Sequence, residues 1–122
     1  MSCWTSACVK FVLAGRVSVA EFQRIVGKEC DPQEFEEEKI AWENQSKYLP
    51  IGSEGTLHIY PDSASSEQTT YIVLGNLRDR WSTEYITEWF NRVVQHPRVL
   101  QATGNTSLDS GLPIPLTYTQ PQ

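Results

Sequence analysis

Residues 70–97 read TYIVLGNLRDRWSTEYITEWFNRVVQHP, and this stretch decides how the rest of the chain is organised. The apolar run at residues 71–74 is aromatic and β-branched and is too short for a core helix, so it predicts a buried strand. Gly75 and Asn76 interrupt the run, and a turn of alternating charge follows at residues 78–80. The first half of the stretch therefore predicts a strand that passes quickly into the next element.

The second half of the stretch predicts an amphipathic helix that faces the core. Its apolar residues recur at i, i+3, i+4, i+7 and i+8, which places them on one helical face. They are Ile86, Trp89, Phe90, Val93 and Val94. Ser82 is a natural N-cap, and Trp81 and Ile86 have the spacing of a hydrophobic staple. Pro97 ends the helical pattern.

A first strand and a short helix are predicted upstream of this stretch. Residues 8–14 alternate, with Val9, Phe11 and Leu13 on one face, which is typical of a half-buried strand. Ser18 and Glu21 have capping-box spacing, so a helix is predicted over residues 19–26. Gly27 is well placed to terminate it.

The middle of the chain predicts an acidic helix followed by two more strands. Asp31 as N-cap and Pro32 at the first helical position start a helix that continues to about residue 45. Residues 56–60 alternate as a strand, and the polar residues 61–69 are interpreted as a loop, too long for a tight two-residue turn, that joins this strand to residues 70–77 in a hairpin. A last strand is predicted at residues 98–103.

The predicted element order is that of the ferredoxin-like plan. Strand, helix, strand, strand, helix, strand is the βαββαβ order, here with one acidic helix inserted after the first helix. Right-handed crossovers would place the two amphipathic helices on one face of a four-stranded antiparallel sheet, although another α+β arrangement of the same elements competes. The prediction is one α+β domain over residues 1–103 and an extended, proline-containing tail over residues 104–122, with at most one edge strand in it, around residues 116–119.

Composition and charge exclude some classes of function. The chain has 122 residues, which suits one domain, and a formal net charge of −5. Direct nucleic-acid binding rests on clustered Lys and Arg, so this balance disfavours it, and an anionic membrane surface is disfavoured for the same reason. No signal peptide or membrane-spanning run is recognised. The low, odd number of cysteines favours a reducing compartment, so a cytoplasmic protein is expected.

The residues offer little catalytic or cofactor chemistry. Cys3, Cys8, Cys30 and the two histidines lack the paired short spacings of zinc sites, so neither a metal nor another cofactor is expected. Cys8 with a histidine could form a reactive thiol–imidazole pair, but chance pairing explains this better. No phosphate-binding glycine loop is present.

The turn at residues 78–80 offers one modest candidate for anion binding. Arg78 and Arg80 precede the start of the amphipathic helix, where backbone N–H groups and guanidinium groups can hold an anion. The simpler interpretation is that Asp79 interacts with the helix dipole while the two arginines face solvent.

Carboxylates and tryptophans supply the stronger candidate, a surface for a protein partner. Residues 29–54 hold eight acidic side chains against Lys39 and Lys47, a local charge of −6. Such a cluster is either a solvated face or a surface that attracts a basic partner. Aromatic anchors favour the second interpretation. The predicted partner-binding residues are Glu34, Glu37, Glu38, Trp42 and Trp4.

These observations predict a small acidic protein that inhibits or neutralises a macromolecular partner with a basic surface. The general type resembles bacterial immunity proteins and phage-encoded antagonists of host defence, and no motif carries the resemblance further. The alternative is a small-ligand or nucleotide-binding ferredoxin-like domain without catalysis. In that alternative, residues 61–69, Tyr60, Arg78 and Arg80 would line an anion site, and the chain would form a homo-oligomer.

Overall fold

The computed structural model describes most of the chain and divides it into two compact units. One unit comprises Met1–Val17 and Pro50–Gln122, and the other is Ser18–Leu49. The described residues are 4–27, 49, 55, 57–78, 83–109 and 111–121.

The first unit contains an antiparallel sheet of five strands. The strands are β1 (Trp4–Ala14), β2 (Leu57–Ala64), β3 (Gln68–Arg78), β4 (Val99–Leu108) and β5 (Ile114–Thr119). Their order across the sheet is β2-β3-β1-β4-β5, so β1 is the central strand and β2 and β5 are the edges. The helices of the described chain are α1 (Val19–Val26) and α2 (Glu84–Val93), and α2 belongs to the unit that holds the sheet.

The predicted alternation of β1 is confirmed, and the strand is longer than expected. Val9, Phe11 and Leu13 are fully buried, and the alternation extends back to Thr5. β3 pairs with one side of β1 and β4 with the other, with Tyr71 and Ala102 as the partners of Phe11. Apolar residues on one face of three adjacent strands therefore form the centre of the core.

The helix predicted from its apolar spacing packs on this face of the sheet. Ile86, Trp89, Phe90 and Val93 are buried. The ring centroids of Phe11 and Trp89 lie 5.9 Å apart in an edge-to-face arrangement, which aromatic pairs favour. The N-cap position is Thr83, whose side chain makes no capping hydrogen bond. The predicted cap Ser82 and its neighbour Trp81 lie outside the described residues.

In the second unit, α1 has the predicted bounds and the predicted cap. The Ser18 side chain accepts a 3.1 Å hydrogen bond from the Glu21 amide, and Phe22 and Val26 are buried. Gly27 ends the helix as expected, with its N–H bonded to the Gln23 carbonyl. Its φ of −83° is extended, so the helix does not need the left-handed conformation for which glycine is usually chosen.

The bounds predicted for the polar loop, residues 61–69, are wrong, because most of these residues lie in the two strands of the β2–β3 hairpin. β2 continues through Pro61 to Ala64, and β3 starts at Gln68. Proline has no backbone N–H and cannot donate a hydrogen bond to a neighbouring strand. β2 tolerates Pro61 because it is an edge strand, with a neighbour on one side only. The Ser65 amide bonds the Gln68 carbonyl at 2.8 Å, and the Ser65 hydroxyl accepts from the Gln68 amide at 3.2 Å, which closes a short turn.

The ferredoxin-like prediction of the fold class is also wrong. The sheet has five strands in the order β2-β3-β1-β4-β5, and strand order and helix placement differ from the predicted four-stranded βαββαβ plan. β4 extends past the predicted boundary at residues 103 and 104 to Leu108, and β5 pairs along it from Ile114 to Thr119. β5 is stabilised by burial of Leu116, which is 3% exposed. The inserted acidic helix predicted over residues 31–45 lies outside the described residues.

Candidate functional site

The sheet has a second face, turned away from α2, which carries most of the exposed side chains of the strands. Successive residues of a strand point to opposite faces, so the residues next to the buried positions in the chain point outward here. We call this surface the open face. On β1 it presents Trp4, Ser6, Cys8, Lys10 and Val12, between residues of β3 and β4.

The open face is apolar on one half and polar on the other. Tyr60 is 47% exposed and Leu74 is 40% exposed, which is unusual for large apolar residues in the middle of strands. We call the half around them the apolar patch, which comprises Cys8, Val12, Tyr60, Ile72 and Leu74. The register pairs Tyr60 with Ile72 and Leu74 with Cys8, while Lys10 and His58 are the other partners of Ile72 and Leu74 on this face. The half formed by β4 and β5 presents Gln101, Thr103, Thr117 and Thr119.

The charge within the open face is balanced. Lys10 Nζ lies 3.5 Å from Asp62 Oδ2, with the two side chains 55% and 39% exposed. An ion pair this exposed contributes roughly 0–1 kcal/mol to stability, so its main effect is on the surface potential. The pair leaves the centre of the face without net charge.

A depression on the open face is too small for most ligands of drug-like size. It has a volume of about 190 Å³ and is lined by Lys10, Val12, Gln101 and Thr103. Ligand pockets usually hold about 300–1,000 Å³. This depression therefore gives little support to a small-ligand function.

Trp4 lies at one end of the open face, in a corner built by several close backbone contacts. Its amide donates a 2.9 Å hydrogen bond to Asp109 Oδ1, and the Asp109 amide donates to the Trp4 carbonyl at 2.6 Å. Arg78 is the partner of Trp4 on the neighbouring strand β3. We call Trp4, Gly55, Arg78 and Asp109 the Trp4 corner.

Gly55 brings the connector that follows the acidic segment against the Trp4 ring. A Cβ on Gly55 would overlap the Asn76 carbonyl and would lie 3.7 Å from the Trp4 ring. Its φ of +78° is in the left-handed region, which also favours glycine. The chain therefore passes close to the tryptophan immediately after residue 54, the last residue of the acidic segment.

The structure places two of the residues singled out by the sequence. Trp4 is 40% exposed, as a partner-binding aromatic residue must be, and Arg78 is half-buried beside it. Glu34, Glu37, Glu38, Trp42 and Arg80 lie outside the described residues, so their roles stay predictions.

The structure does not assemble the anion site of the alternative hypothesis. The hairpin turn at residues 65–67 precedes the first residue of β3, and Arg78 is the last residue of that eleven-residue strand. At about 3.3 Å per residue the two ends are roughly 33 Å apart. Arg78 and the polar turn therefore do not contribute to one site.

No catalytic or metal-binding group is assembled among the described residues. Cys8 and His58 lie on opposite sides of Leu74, two strands apart, which corresponds to about 9–10 Å between backbones. His96 Nδ1 accepts a hydrogen bond from the Arg98 amide. Within the described ranges no three His, Cys, Asp or Glu side chains are grouped as metal ligands.

The hydrogen bonding of Asp109 in the Trp4 corner was not predicted from the sequence. The signal was Asp109 itself, because Asp tolerates a positive φ and Asp109 has a φ of 51°. What the sequence could not show is that this turn lies beside residue 4, because the contact spans 105 positions.

Comparison with known proteins gives no match, since no family model, no curated protein and no solved structure is significantly similar to this chain. No helix of the described chain is long and apolar enough to cross a membrane.

Proposed function

We propose that this chain is a small acidic binding protein that inhibits or neutralises a protein partner with a basic surface, in the manner of immunity proteins. The observation that carries the proposal is the Trp4 corner. There an exposed tryptophan is held in place by Asp109 and lies against Gly55, one residue after the acidic segment. Protein interfaces favour aromatic anchors, and complementary charge steers the encounter between partners.

The distribution of charge supports a steering role for the acidic segment. The described residues carry six acidic and six basic side chains, so they have no net charge. The formal charge of −5 therefore lies in the remaining residues, and residues 29–54 alone contribute −6. A concentrated field of one sign accelerates association with a partner of the opposite sign and weakens as salt screens it.

In this proposal the protein works in the cytoplasm and has no catalytic role. The low, odd number of cysteines supports a reducing compartment. Binding occludes the basic site of the partner, such as the groove of a nuclease. The partner's function is lost because its substrate is excluded, which requires no chemistry from this chain.

The test starts from a partner captured by the tagged full chain in its native cell, identified by mass spectrometry and then purified. The partner's activity and its affinity for this chain are measured with wild type, with Trp4→Ala, and with Glu34, Glu37 and Glu38 all changed to Lys. We expect each variant to weaken inhibition by about tenfold or more, which is the effect of losing one interface hot spot. The triple variant should also lose most of the salt dependence of binding.

The matched control is Glu84→Lys with Glu88→Lys, which makes charge reversals of the same kind on the first two turns of α2. Inhibition should be nearly unchanged in this control. The proposal is wrong if the captured protein binds with an affinity that is independent of salt, or if the triple Glu variant and Trp4→Ala both inhibit like wild type.

A further inference from the structure

We infer that the open face is a second interaction surface, on which a second copy of this chain docks face to face to form a two-fold symmetric dimer. The inference goes beyond the proposed function and is centred on the apolar patch, whereas Trp4 lies at one end of the same face. Its starting point is the apolar patch, where Tyr60 and Leu74 expose 47% and 40% of their surface from the middle of paired strands. Contiguous apolar surface of this kind on a folded protein marks an interaction site.

The edges of the sheet are poor places for a second copy to pair. The edge strand β2 contains Pro61 and an irregularity in register between Pro61 and Ser63. The other edge strand, β5, contains Pro115 within its pairing with β4. Prolines and bulges are the devices that prevent edge-to-edge pairing, so association through the face is favoured over extension of the sheet.

Charge complementarity selects a second copy as the occupant. A two-fold interface brings the same patch of both subunits together, so the patch must be complementary to itself. The open face carries one cation and one anion near its centre, Lys10 and Asp62, 3.5 Å apart. In a face-to-face dimer each charge can meet its opposite from the other subunit. A strongly basic partner would gain nothing from this face, whose described charges are the pair Lys10 and Asp62 and, at one end, Arg78.

The size of the face is adequate for a dimer. The five strands hold 46 residues, and a spacing of about 4.8 Å between strands with about 3.3 Å per residue gives a projected area of roughly 730 Å². A stable interface buries about 800 Å² of accessible surface per partner. The accessible surface of a sheet covered by side chains is larger than its projected area. Two sheets can therefore pack in this way at their usual spacing of about 10 Å.

The experiment is sedimentation equilibrium of the full chain over a range of concentration, at low and at high salt. We expect a monomer–dimer equilibrium that tightens as salt rises, because each subunit carries a net charge of −5 and salt screens this repulsion. The partner binding proposed above should weaken with salt. The two proposals thus respond in opposite directions, and either can fail without the other.

The face is assigned by two variants on different strands, Leu74→Arg and Tyr60→Lys. Both residues are substantially exposed, so both variants should fold, which circular dichroism and the midpoint of urea unfolding verify. Each should raise the dimer dissociation constant by about tenfold or more. The control is Asn91→Arg, at an exposed position of α2, which adds a charge away from the open face and should leave the constant unchanged.

Cross-linking through Cys8 gives an independent readout of the same geometry. Cys8 is exposed, and it lies near the middle of the central strand, where a two-fold axis through the face would pass. With Cys3 and Cys30 changed to Ser, a bismaleimide of about 10 Å reach should link two chains, since this matches the spacing of packed sheets. A variant with Cys8→Ser and Asn91→Cys should not be linked. A monomer at every concentration and salt, or a dimer that neither face variant weakens, overturns the inference.

Discussion

The amide of Trp4 donates a 2.9 Å hydrogen bond to Asp109 Oδ1, and the amide of Asp109 returns a 2.6 Å bond to the Trp4 carbonyl. This reciprocal pair joins the start of the central strand β1 to the end of its neighbour β4. Since β1 begins at Trp4, the pair closes the ladder at the position where fraying would otherwise begin. It also fixes the backbone of an exposed tryptophan, so this residue loses less backbone freedom when it binds a partner.

We predict that Asp109→Ala destabilises the protein by about 1–2 kcal/mol. The substitution removes the carboxylate acceptor, and it places alanine, which has no polar side chain to hydrogen-bond locally, at a φ of 51°. Asp109→Asn keeps an acceptor and tolerates this conformation, so it should change stability by less than about 0.5 kcal/mol. Urea unfolding of both variants checks the difference. Equal midpoints for the two variants would show that the side-chain bond contributes nothing.

Thr69 of β3 gives a second prediction, because its hydroxyl holds the segment that leaves β1. It donates to the Gly15 carbonyl at 2.8 Å and accepts from the Val17 amide at 3.0 Å, and it is 3% exposed. Thr69→Val has a similar shape but leaves both backbone groups without this partner. We expect a loss of about 2–3 kcal/mol in the free energy of unfolding.

The control for that prediction is Thr69→Ser, which keeps the hydroxyl and removes one methyl group. Its cost should be close to that of a single buried methyl, about 1 kcal/mol. The two variants are compared by urea unfolding with a common slope. A serine variant as unstable as the valine variant would mean that packing, and not hydrogen bonding, fixes this segment.

The parts of the fold that the sequence predicted are those set by local periodicity and capping. Phe11 and its neighbours alternate over a whole strand, Ile86, Trp89 and Phe90 repeat at helical spacing, and Ser18 caps α1 three residues before Glu21. Each of these patterns depends on residues a few positions apart. Side-chain direction in strands and helices is enough to interpret them.

The parts that were missed depend on neighbours distant in the chain. Pro61 indicates a break in a strand, yet it is tolerated because β2 pairs on one side only. Whether a strand is at an edge is decided by the topology of the whole sheet. The same holds for the Trp4 corner, since no residue near Trp4 in the sequence predicts its contacts with Asp109 and Gly55.

Gly104 gives a third prediction, at the closest approach of β4 to β1. It is the partner of Val9, and a Cβ at this position would overlap the Cys8 carbonyl and lie 2.6 Å from the Val9 Cα. β1 cannot move away easily because β3 pairs with its other side. Gly104→Ala should therefore cost about 3 kcal/mol or more in the free energy of unfolding.

The adjacent Thr103→Ala is the control for Gly104, since Thr103 is exposed on the open face of the same strand. It should cost under about 1 kcal/mol, which is the range of strand propensities. Thermal or urea unfolding separates the two. A harmless Gly104→Ala would mean that β1 and β4 are not in this close register.

Leu116 gives the last prediction, which tests whether residues 114–119 are part of the fold or an appended tail. Leu116 is 3% exposed on β5, whereas Leu112, four residues earlier, is 90% exposed. Leu116→Ala should lower the free energy of unfolding by about 2–3 kcal/mol, through lost burial and the cavity left behind. Leu112→Ala makes the same chemical change in the same segment and should alter stability by less than about 0.5 kcal/mol. Hydrogen exchange of the β4 amides that face β5 should accelerate in the first variant alone. If both variants unfold at the wild-type midpoint, β5 contributes no stability and β4 behaves as an edge strand.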